Sequence, residues 1–288
     1  MTALPKLDTS DRRITVLDED GTKITTQQAT AAVMVAFTEL RSKPEFGAQI
    51  DTYLIFGETV KVCKHKDRWV LVQADRDQYV GWVEENTLNF EPKPATHLVS
   101  ASRTFFYPEP DLKTPHKGMR SMGSALTIAD NTETRGTQYA ITETGEAVIS
   151  KHIRPIAEPD KDYVQVAEGL LNTPYLWAGA SAFGIDCSGL VKLAMYMCGQ
   201  KVLRDSDMQA ATIGIEIDPG ANLENVKRGD LMFWRGHVAI VYGQNQQGIQ
   251  QILHANGHTM NVTIEPMLEA VERIAYLYEK PIGVRRPG

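Results

Sequence analysis

The sequence predicts an α+β protein in which two small β-barrels precede a domain of helices and antiparallel strands. Three observations support this fold class: short β-type runs through the first half, a change of pattern at residues 155–159, and helical apolar spacing beyond it. We therefore expect three domains after an unassigned N-terminal segment. The segment is 1–30, and the domains are 31–92, 95–156 and 160–288.

The first two domains are predicted from runs of β-branched and aromatic residues that are separated by turn residues. In the first domain these runs are residues 53–56, 60–62, 69–72 and 79–83; in the second they are residues 103–107, 125–128 and 146–149. Short strands at this spacing are typical of small β-barrels. Residues 91–94, with two prolines, are interpreted as a linker.

The third domain begins with helical patterns and continues with strands. Apolar spacing predicts helices over residues 163–171 and 187–198, the second ending before Gly199, and strands over 231–234, 237–242 and 249–254. Helices that precede an antiparallel sheet make an α+β domain.

Composition and charge exclude several classes of protein. The formal net charge is -6 and no long basic run occurs, which argues against a nucleic-acid partner. The N-terminus lacks a basic start with an apolar core, no stretch reaches the ~18 apolar residues of a membrane helix, and three cysteines suggest no disulfide framework. We expect a cytoplasmic monomer with no cofactor, no metal and no membrane contact.

Cys187 is the candidate nucleophile, because it lies where an apolar helical face begins. Its neighbours Asp186 and Ser188 are residue types that cap helix N-termini. A thiol in the first turn of a helix faces the positive end of the helix dipole, which favours the nucleophilic thiolate. The alternative is a buried structural cysteine, the more common fate of a free thiol.

Two histidines flank a predicted hairpin. His237 opens one apolar run, His254 closes the next, and residues 243–248 lie between them. If Gly243 pairs with Gly248, His237 lies directly opposite His254, so that one ring serves as base and the other as its orienter. We interpret His65, His97, His116 and His152 as structural. A zinc site of Cys187, His237 and His254 is disfavoured, because the short spacings of metal-ligand motifs are missing.

The third domain resembles the NlpC-type cysteine peptidase family. The matching segments are residues 174–179, 184–190, 228–231, 236–241 and 254–255, with Ala178 where the family usually has a second glycine. The resemblance implies a papain-like domain with four catalytic residues. Cys187 is the nucleophile, His237 the base, His254 the orienting residue, and Tyr175 stabilises the oxyanion together with the backbone N–H of Cys187.

The upstream domains resemble bacterial SH3-like barrels, and the whole arrangement resembles the γ-D-glutamyl-L-diamino acid endopeptidases of murein-peptide recycling. The resemblance implies that small murein peptides are the partners and that the bond between γ-D-glutamate and meso-diaminopimelate or L-lysine is cut.

Six residues are expected to bind that substrate. The resemblance implies that Glu58 and Tyr79 hold the free amine of the substrate's L-alanine and that Asp205 and Ser206 contact the substrate. Asp186 and Ser188, which flank the nucleophile, are expected to shape the cleft as well as the helix cap. The alternatives are a solvated strand-end Glu58, a barrel-core Tyr79 and a polar helix cap at residues 205–206.

Three other functions stay open at this point. A hydrolase that remodels intact peptidoglycan would use the same residues, and so would an acyltransferase in which an amine replaces water. A non-catalytic wall-binding protein would depend on the barrels alone, and the presence of Cys187, His237 and His254 argues against it.

Overall fold

The computed structural model describes residues 4–17, 23 and 29–288, without the side chains of residues 277 and 278. The chain divides into two compact units. The barrel unit comprises Ser10–Pro159 and Ala180–Phe183; the C-terminal unit comprises Asp160–Gly179, Gly184–Gly288 and the segment that ends at Thr9. No helix among the described residues is long and apolar enough to cross a membrane.

The first barrel is an antiparallel sheet. Its strands are β1 (Thr30–Val33), β2 (Phe37–Arg41), β3 (Ile50–Ile55), β4 (Thr59–Lys66), β5 (Trp69–Ala74), β6 (Val80–Glu84) and β7 (Leu88–Asn89), with a 3-10 turn at Glu85–Thr87. They are ordered β3-β2-β6-β5-β4-β1-β7. Alternate residues point inward and form the core, as in Trp69–Ala74, where Val70, Val72 and Ala74 are buried.

Part of the segment that the sequence left unassigned packs on this barrel. The backbone N–H of Val80 donates to the carbonyl of Arg13 over 2.7 Å, and the Gln73 amide donates to the carbonyl of Ile14 over 2.9 Å. In both contacts the segment contributes a backbone carbonyl. Its side-chain pattern therefore could not predict that it packs on the barrel.

The second barrel follows a short connection. Its strands are β8 (His97–Val99), β9 (Arg103–Tyr107), β10 (Gly118–Ser121), β11 (Ala125–Leu126), β12 (Ile128–Thr134), β13 (Thr137–Thr142), β14 (Ala147–Ile149) and β15 (Ile153–Pro155), with a 3-10 turn at Ser150–His152. They form the orders β10-β9-β14-β13-β12 and β11-β8-β15. Phe56 of the first barrel packs against the core of the second, and the Arg120 guanidinium lies 4.1 Å from its ring centroid.

The C-terminal unit is a sheet with helices. Its helices are α1 (Tyr163–Glu168), α2 (Cys187–Met197), α3 (Ser206–Thr212) and α4 (Met267–Tyr278). After β16 (Ala180–Ser181) of the barrel unit, its strands are β17 (Gly184–Ile185), β18 (Ile215–Ile217), β19 (Leu231–Trp234), β20 (His237–Gln244), β21 (Gln250–Asn256), β22 (Asn261–Pro266) and β23 (Gly283–Arg286). The main sheet is antiparallel, in the order β18-β23-β19-β20-β21-β22.

Helices α2 and α4 position the residues of interest. Helix α2 contacts β20 and β21, and α4 contacts β21 and β22. Ala239 of β20 and Ile252 of β21 share one hydrophobic cluster with Ala270 of α4. Side chains two residues apart point to the same face of a strand. His237 and His254 therefore lie on the face that α4 covers.

The predicted α+β class is confirmed, and the differences are local. The first helix ends at Glu168 rather than Leu171, since the chain turns at Gly169. The sequence analysis did not identify α3 or α4, although α4 has a clear amphipathic pattern. Helix α2 begins at Cys187 as predicted, and Gly199 follows it with a φ of 77°.

We predict opposite responses of two neighbouring residues to substitution. Ala178 has a φ of 64°, a left-handed conformation that costs an alanine ~1–2 kcal/mol. Ala178→Gly should thus stabilise the C-terminal unit slightly, by up to about 1 kcal/mol once the greater freedom of unfolded glycine is subtracted. A Cβ on Gly179 would lie 2.6 Å from the carbonyl oxygen of Gly184, so Gly179→Ala should destabilise by ~1–3 kcal/mol or more.

Thermal and urea unfolding of both variants, followed by tryptophan fluorescence, measures these changes. Equal stability of Gly179→Ala and the wild type would contradict the close approach of the two backbone segments.

Candidate active site

Cys187 is the first residue of α2, and a capped helix start holds it in place. Asp186 occupies the N-cap position, where its Oδ1 accepts a hydrogen bond from the backbone N–H of Gly189 over 2.7 Å. This geometry satisfies one of the N–H groups that a helix start leaves without an intrahelical partner. Cys187 is only 8% exposed. The reactive sulfur therefore sits in an enclosed, rigid turn.

A buried arginine fixes this turn from below. The Arg204 guanidinium is 1% exposed and donates to both carboxylate oxygens of Asp186, over 3.0 Å and 2.7 Å, and to the Ser188 hydroxyl over 2.8 Å. It also lies 3.2 Å from the carbonyl oxygen of Gly179. A buried ion pair of this kind is costly to break, because removal of one partner leaves a charge without compensation, at about 3–5 kcal/mol.

Arg204 was not predicted from the sequence as a site residue, although its neighbours Asp205 and Ser206 were. The arginine lies 17 residues from Cys187 along the chain, and no local spacing links them. Only packing of the chain after α2 brings the guanidinium beneath the helix start.

The two histidines are hydrogen-bonded to each other. Nε2 of His237 lies 2.8 Å from Nδ1 of His254, and the ring centroids are 5.0 Å apart. His254 is 0% exposed, whereas the side chain of His237 is partly exposed. The predicted pairing of the two imidazoles on one face is therefore present in the structure.

The predicted register of the hairpin, however, is wrong. Gly243 pairs with Gln251 rather than Gly248, and Ile240 pairs with Leu253. Continued towards the site, this register places His254 opposite Ala239, two residues from His237, so that the histidines are diagonal neighbours. The cause is a longer turn at residues 245–249 with a bulge after Val241. Because the displacement is two residues, both rings keep the same face.

Packing of α2 against β20 brings the nucleophile to the base. The backbone of Val238, the residue after His237, makes a hydrogen bond to the Cys187 sulfur. Burial, reinforced by the charge of Asp186, raises the pKa of the thiol to about 12. Burial, together with His254 and Arg273, lowers the pKa of His237 to about 3. Burial thus shifts both pKa values in the direction that favours the uncharged thiol and the uncharged imidazole.

These directions run against the effect of the helix start, which favours thiolate; the protonation state of Cys187 in the free enzyme stays a prediction. The helix dipole is present, but the transfer of a charge from water into an enclosed site opposes ionisation more strongly than a helix terminus favours it.

Two charged residues behind His254 were not found from the sequence. Oε1 of Glu265 lies 2.6 Å from Nε2 of His254, and Arg273 donates to the same oxygen. Burial alone would raise the pKa of Glu265, but the hydrogen bonds from His254 and Arg273 outweigh it and lower this pKa to about 2. Glutamates and arginines at strand ends and on helices are common, so neither residue carried a sequence signal.

Tyr175 lies on the segment that leads to the nucleophile. Its backbone N–H donates to the carbonyl of Met260 over 2.9 Å, and it forms a parallel bridge with Ile185, two residues before Cys187. The side chain is half-buried. The backbone of Tyr175 is therefore fixed near the helix start, and the role of its hydroxyl stays a prediction.

The four predicted substrate-binding residues of the C-terminal unit have structural contacts. Asp186 and Ser188 belong to the Arg204 network, which gives them a positioning role at the nucleophile. Asp205 is the N-cap residue of α3, and Ser206, the first residue of that helix, is buried. The alternative interpretation of residues 205–206 as a helix cap agrees with this placement, and contact of any of the four with substrate stays a prediction.

Glu58 and Tyr79 belong to the barrel unit. Glu58 is 2% exposed, which contradicts the alternative of a solvated strand-end residue; its Oε2 accepts from the backbone of Ile55 over 3.2 Å and lies 3.7 Å from Nη1 of Arg76. Tyr79 is 4% exposed and is part of the barrel core, which agrees with the structural interpretation. Binding of a substrate amine by either residue stays a prediction.

Among the described ranges, no three His, Cys, Asp or Glu side chains are arranged so that they could hold a metal ion. The two imidazoles have as hydrogen-bond partners each other, the Glu265 carboxylate and the Asn256 amide.

Family models match both units of the chain. Residues 172–278 match the NlpC/P60 family, and residues 40–88 match the bacterial dipeptidyl-peptidase SH3 domain. The first match contains Cys187, His237, His254 and Glu265, and the second contains Glu58 and Tyr79.

Two curated relatives cover most of the chain. Dipeptidyl-peptidase 6 of Lysinibacillus sphaericus is 27% identical over 234 residues, which are 74% of this chain and 84% of the relative. The γ-D-glutamyl-L-lysine dipeptidyl-peptidase of Bacillus subtilis is 27% identical over 262 residues, which are 82% of this chain and 81% of the relative.

A solved structure supports the fold over both units. The crystal structure of an NlpC/P60 family protein from Bacillus cereus aligns with a TM-score of 0.72 at 21% identity, and the alignment covers 89% of this chain and 99% of that one. Two SH3-like barrels and a papain-like domain thus account for the fold. This chain is a cysteine peptidase that is similar to the NlpC/P60 family over residues 172–278 and to a bacterial dipeptidyl-peptidase SH3 domain over residues 40–88.

Proposed function

We propose that the protein hydrolyses the bond between γ-D-glutamate and a diamino acid, meso-diaminopimelate or L-lysine, in free murein peptides that begin with L-alanine. The observation that carries the proposal is the hydrogen-bonded pair of His237 and His254 beside the thiol of Cys187. The similarity over most of the chain to a γ-D-glutamyl-L-lysine dipeptidyl-peptidase supports the choice of bond.

Acylation begins from the uncharged thiol and the uncharged imidazole. As the Cys187 sulfur attacks the γ-carbonyl carbon, the thiol proton moves to Nδ1 of His237, the nitrogen that does not face His254. The oxyanion of the tetrahedral intermediate accepts hydrogen bonds from the backbone N–H of Cys187 and, in this proposal, from the hydroxyl of Tyr175. His237 then gives its proton to the amine of the diamino acid, which leaves, and a thioester remains.

Deacylation repeats these steps with water. His237 takes a proton from the attacking water, a second tetrahedral intermediate forms, and its collapse expels the Cys187 sulfur. The sulfur recovers the proton from His237, and the product carries a free γ-carboxylate. Throughout, the hydrogen bond to His254 holds the ring of His237 in one orientation.

Specificity for a free N-terminus is the part of the proposal that separates recycling from wall remodelling. In released peptides the L-alanine amine is charged, whereas in the intact wall it is amidated. A buried carboxylate can recognise that charge, and Glu58, enclosed and adjacent to Arg76, is the candidate. The proposal includes a cytoplasmic monomer that acts on peptides already released from the wall.

We predict that Cys187→Ala abolishes hydrolysis of L-Ala-γ-D-Glu-meso-diaminopimelate without unfolding the protein, because the attacking sulfur is removed while the Asp186 cap and the Arg204 network stay in place. Cys198→Ala, which removes a cysteine at the other end of the same helix, is the matched control and should keep its activity. Mass spectrometry of the products measures both.

Full activity of Cys187→Ala would refute the thiol mechanism. Loss of activity on chelation, with resistance to iodoacetamide, would favour a zinc enzyme instead.

We also predict that Glu58→Gln lowers kcat/KM for the free tripeptide about ten- to a hundredfold, since a charge-assisted hydrogen bond contributes roughly 1.5–3 kcal/mol. N-acetylation of the L-alanine should cause a similar loss in the wild type and little further loss in the variant. Glu45→Gln, an exposed charge change on the same barrel, serves as the control.

Comparing both peptides on both proteins distinguishes a loss of amine recognition from a loss of stability. A variant that is only less stable would lose activity towards the free and the acetylated peptide equally. If the wild type cleaves acetylated peptide or intact sacculi as well as the free tripeptide, wall remodelling replaces recycling as the function.

A further inference from the structure

Behind the two histidines, Glu265 and Arg273 form a second layer that the peptidase motifs do not include. Glu265 lies near the end of β22, paired with Ile252 of β21, and Arg273 lies on α4, which begins after the intervening Pro266. Both side chains are partly enclosed, with exposed fractions of 19% for Glu265 and 27% for Arg273. The strand and the helix thus bring two opposite charges to one imidazole.

A chain of successive contacts connects Cys187 with Arg273 of α4. The Cys187 sulfur lies at Val238 beside His237, Nε2 of His237 is 2.8 Å from His254, and Nε2 of His254 is 2.6 Å from Glu265. Arg273 donates to the Glu265 oxygen that also faces His254.

These contacts determine where the imidazole protons are. The ionised Glu265 carboxylate can only accept, so Nε2 of His254 carries a proton and its Nδ1 is bare. The bare Nδ1 accepts from Nε2–H of His237, which leaves Nδ1 of His237 bare and able to receive the thiol proton. Without the carboxylate, none of these contacts selects that arrangement of protons.

Asn256 favours the opposite arrangement. Its amide nitrogen lies 3.0 Å from Nε2 of His254, and its oxygen accepts from the backbone N–H groups of His258 and Thr259, which fixes the orientation of the amide. A donor at Nε2 favours a bare nitrogen there. The Glu265 carboxylate is charged and lies closer to Nε2 than the Asn256 amide does, so the arrangement with a proton on Nε2 of His254 is the more stable one.

The two charges have opposite effects on an imidazolium. Negative Glu265 stabilises the protonated ring that forms when Cys187 ionises, and positive Arg273 destabilises it. The other charged or titratable groups at this place are His254 and Cys187, with Asp186 and Arg204 behind the sulfur. The Trp234 ring, 5.5 Å from the ring of His237, adds no charge.

We propose that Glu265 and Arg273 are positioning residues that act as an opposed charge pair: Glu265 selects the tautomers that leave Nδ1 of His237 as the base, and Arg273 anchors Glu265 while it limits the basicity of the histidine pair. The inference rests on the proposed roles of Cys187 and His237 in peptide hydrolysis. It concerns the free protein and is therefore testable without a substrate.

The experiment is a pH titration of the histidine rings by NMR in protein labelled with 15N at histidine, with the signals assigned from His237→Gln and His254→Gln. In the wild type, both rings should be neutral at pH 7, each protonated at Nε2. In Glu265→Gln the first imidazolium should form at a lower pH than in the wild type. In Arg273→Met it should form at a higher pH. The double variant Glu265→Gln/Arg273→Met should lie between them.

Steady-state kinetics on the free tripeptide completes the test. Glu265→Gln should lose about ten- to a hundredfold in kcat with little change in KM, the loss expected for one charge-assisted hydrogen bond that strengthens in the transition state. Arg273→Met should lose less than Glu265→Gln at neutral pH. Glu272→Gln, an exposed charge change next to Arg273 on α4, should match the wild type in both experiments.

A purely structural role of the pair predicts a different result: both variants would lose stability and activity together, and the rings would titrate as in the wild type. That outcome, or a shift of both variants in the same direction, overturns the proposal. If Glu265→Gln does not fold, the direction of the Arg273→Met titration decides alone. Failure of the protein to cleave γ-D-glutamyl peptides would refute the proposed function but leave the NMR test intact.

Discussion

The buried ion pair between Arg204 and Asp186 is the interaction on which the active site depends. It places a satisfied carboxylate at the N-cap of α2, and the cap in turn sets the position of Cys187 in the first turn. Arg204 also contacts Ser188 and the carbonyl of Gly179, so that one guanidinium joins both segments that surround the nucleophile. Such a pair contributes more to uniqueness of geometry than to net stability, because desolvation offsets much of its Coulomb energy.

Burial has a second consequence for the chemistry. Burial raises the pKa of Cys187 and lowers that of His237, so that it opposes charge on both groups. The charged side chains of the site are next to the reacting groups rather than among them. Asp186 and Arg204 form an ion pair at the helix start that carries Cys187, and Glu265 and Arg273 form one beside His254. In a site of this kind the surrounding hydrogen-bond donors and charges are already oriented when a charge develops during the reaction.

The sequence predicted those parts of the fold and the site that depend on local pattern. The strand at Leu231–Trp234, the helix that starts at Cys187 and the shared face of His237 and His254 follow from periodicity and capping residues. The register of the hairpin was wrong because a bulge and a longer turn are decided by backbone hydrogen bonds at Asn245 and Ile249. The prediction that both histidines lie on one face of the sheet was nonetheless correct, because a displacement of two residues leaves a side chain on the same face.

The sequence by itself determined that a thiol lies at a helix start, that two histidines share a strand face, and that an NlpC-type peptidase follows barrel-forming segments. Tertiary structure alone decided which distant residues complete that site. Arg204, from the segment after α2, reaches the start of that helix, and Glu265 of β22 and Arg273 of α4 reach His254, only through the packing of the helices on the sheet that contains β22. The same packing determines how far burial shifts the pKa values of Cys187 and His237, since desolvation depends on all the atoms that enclose a group and no short stretch of sequence specifies them.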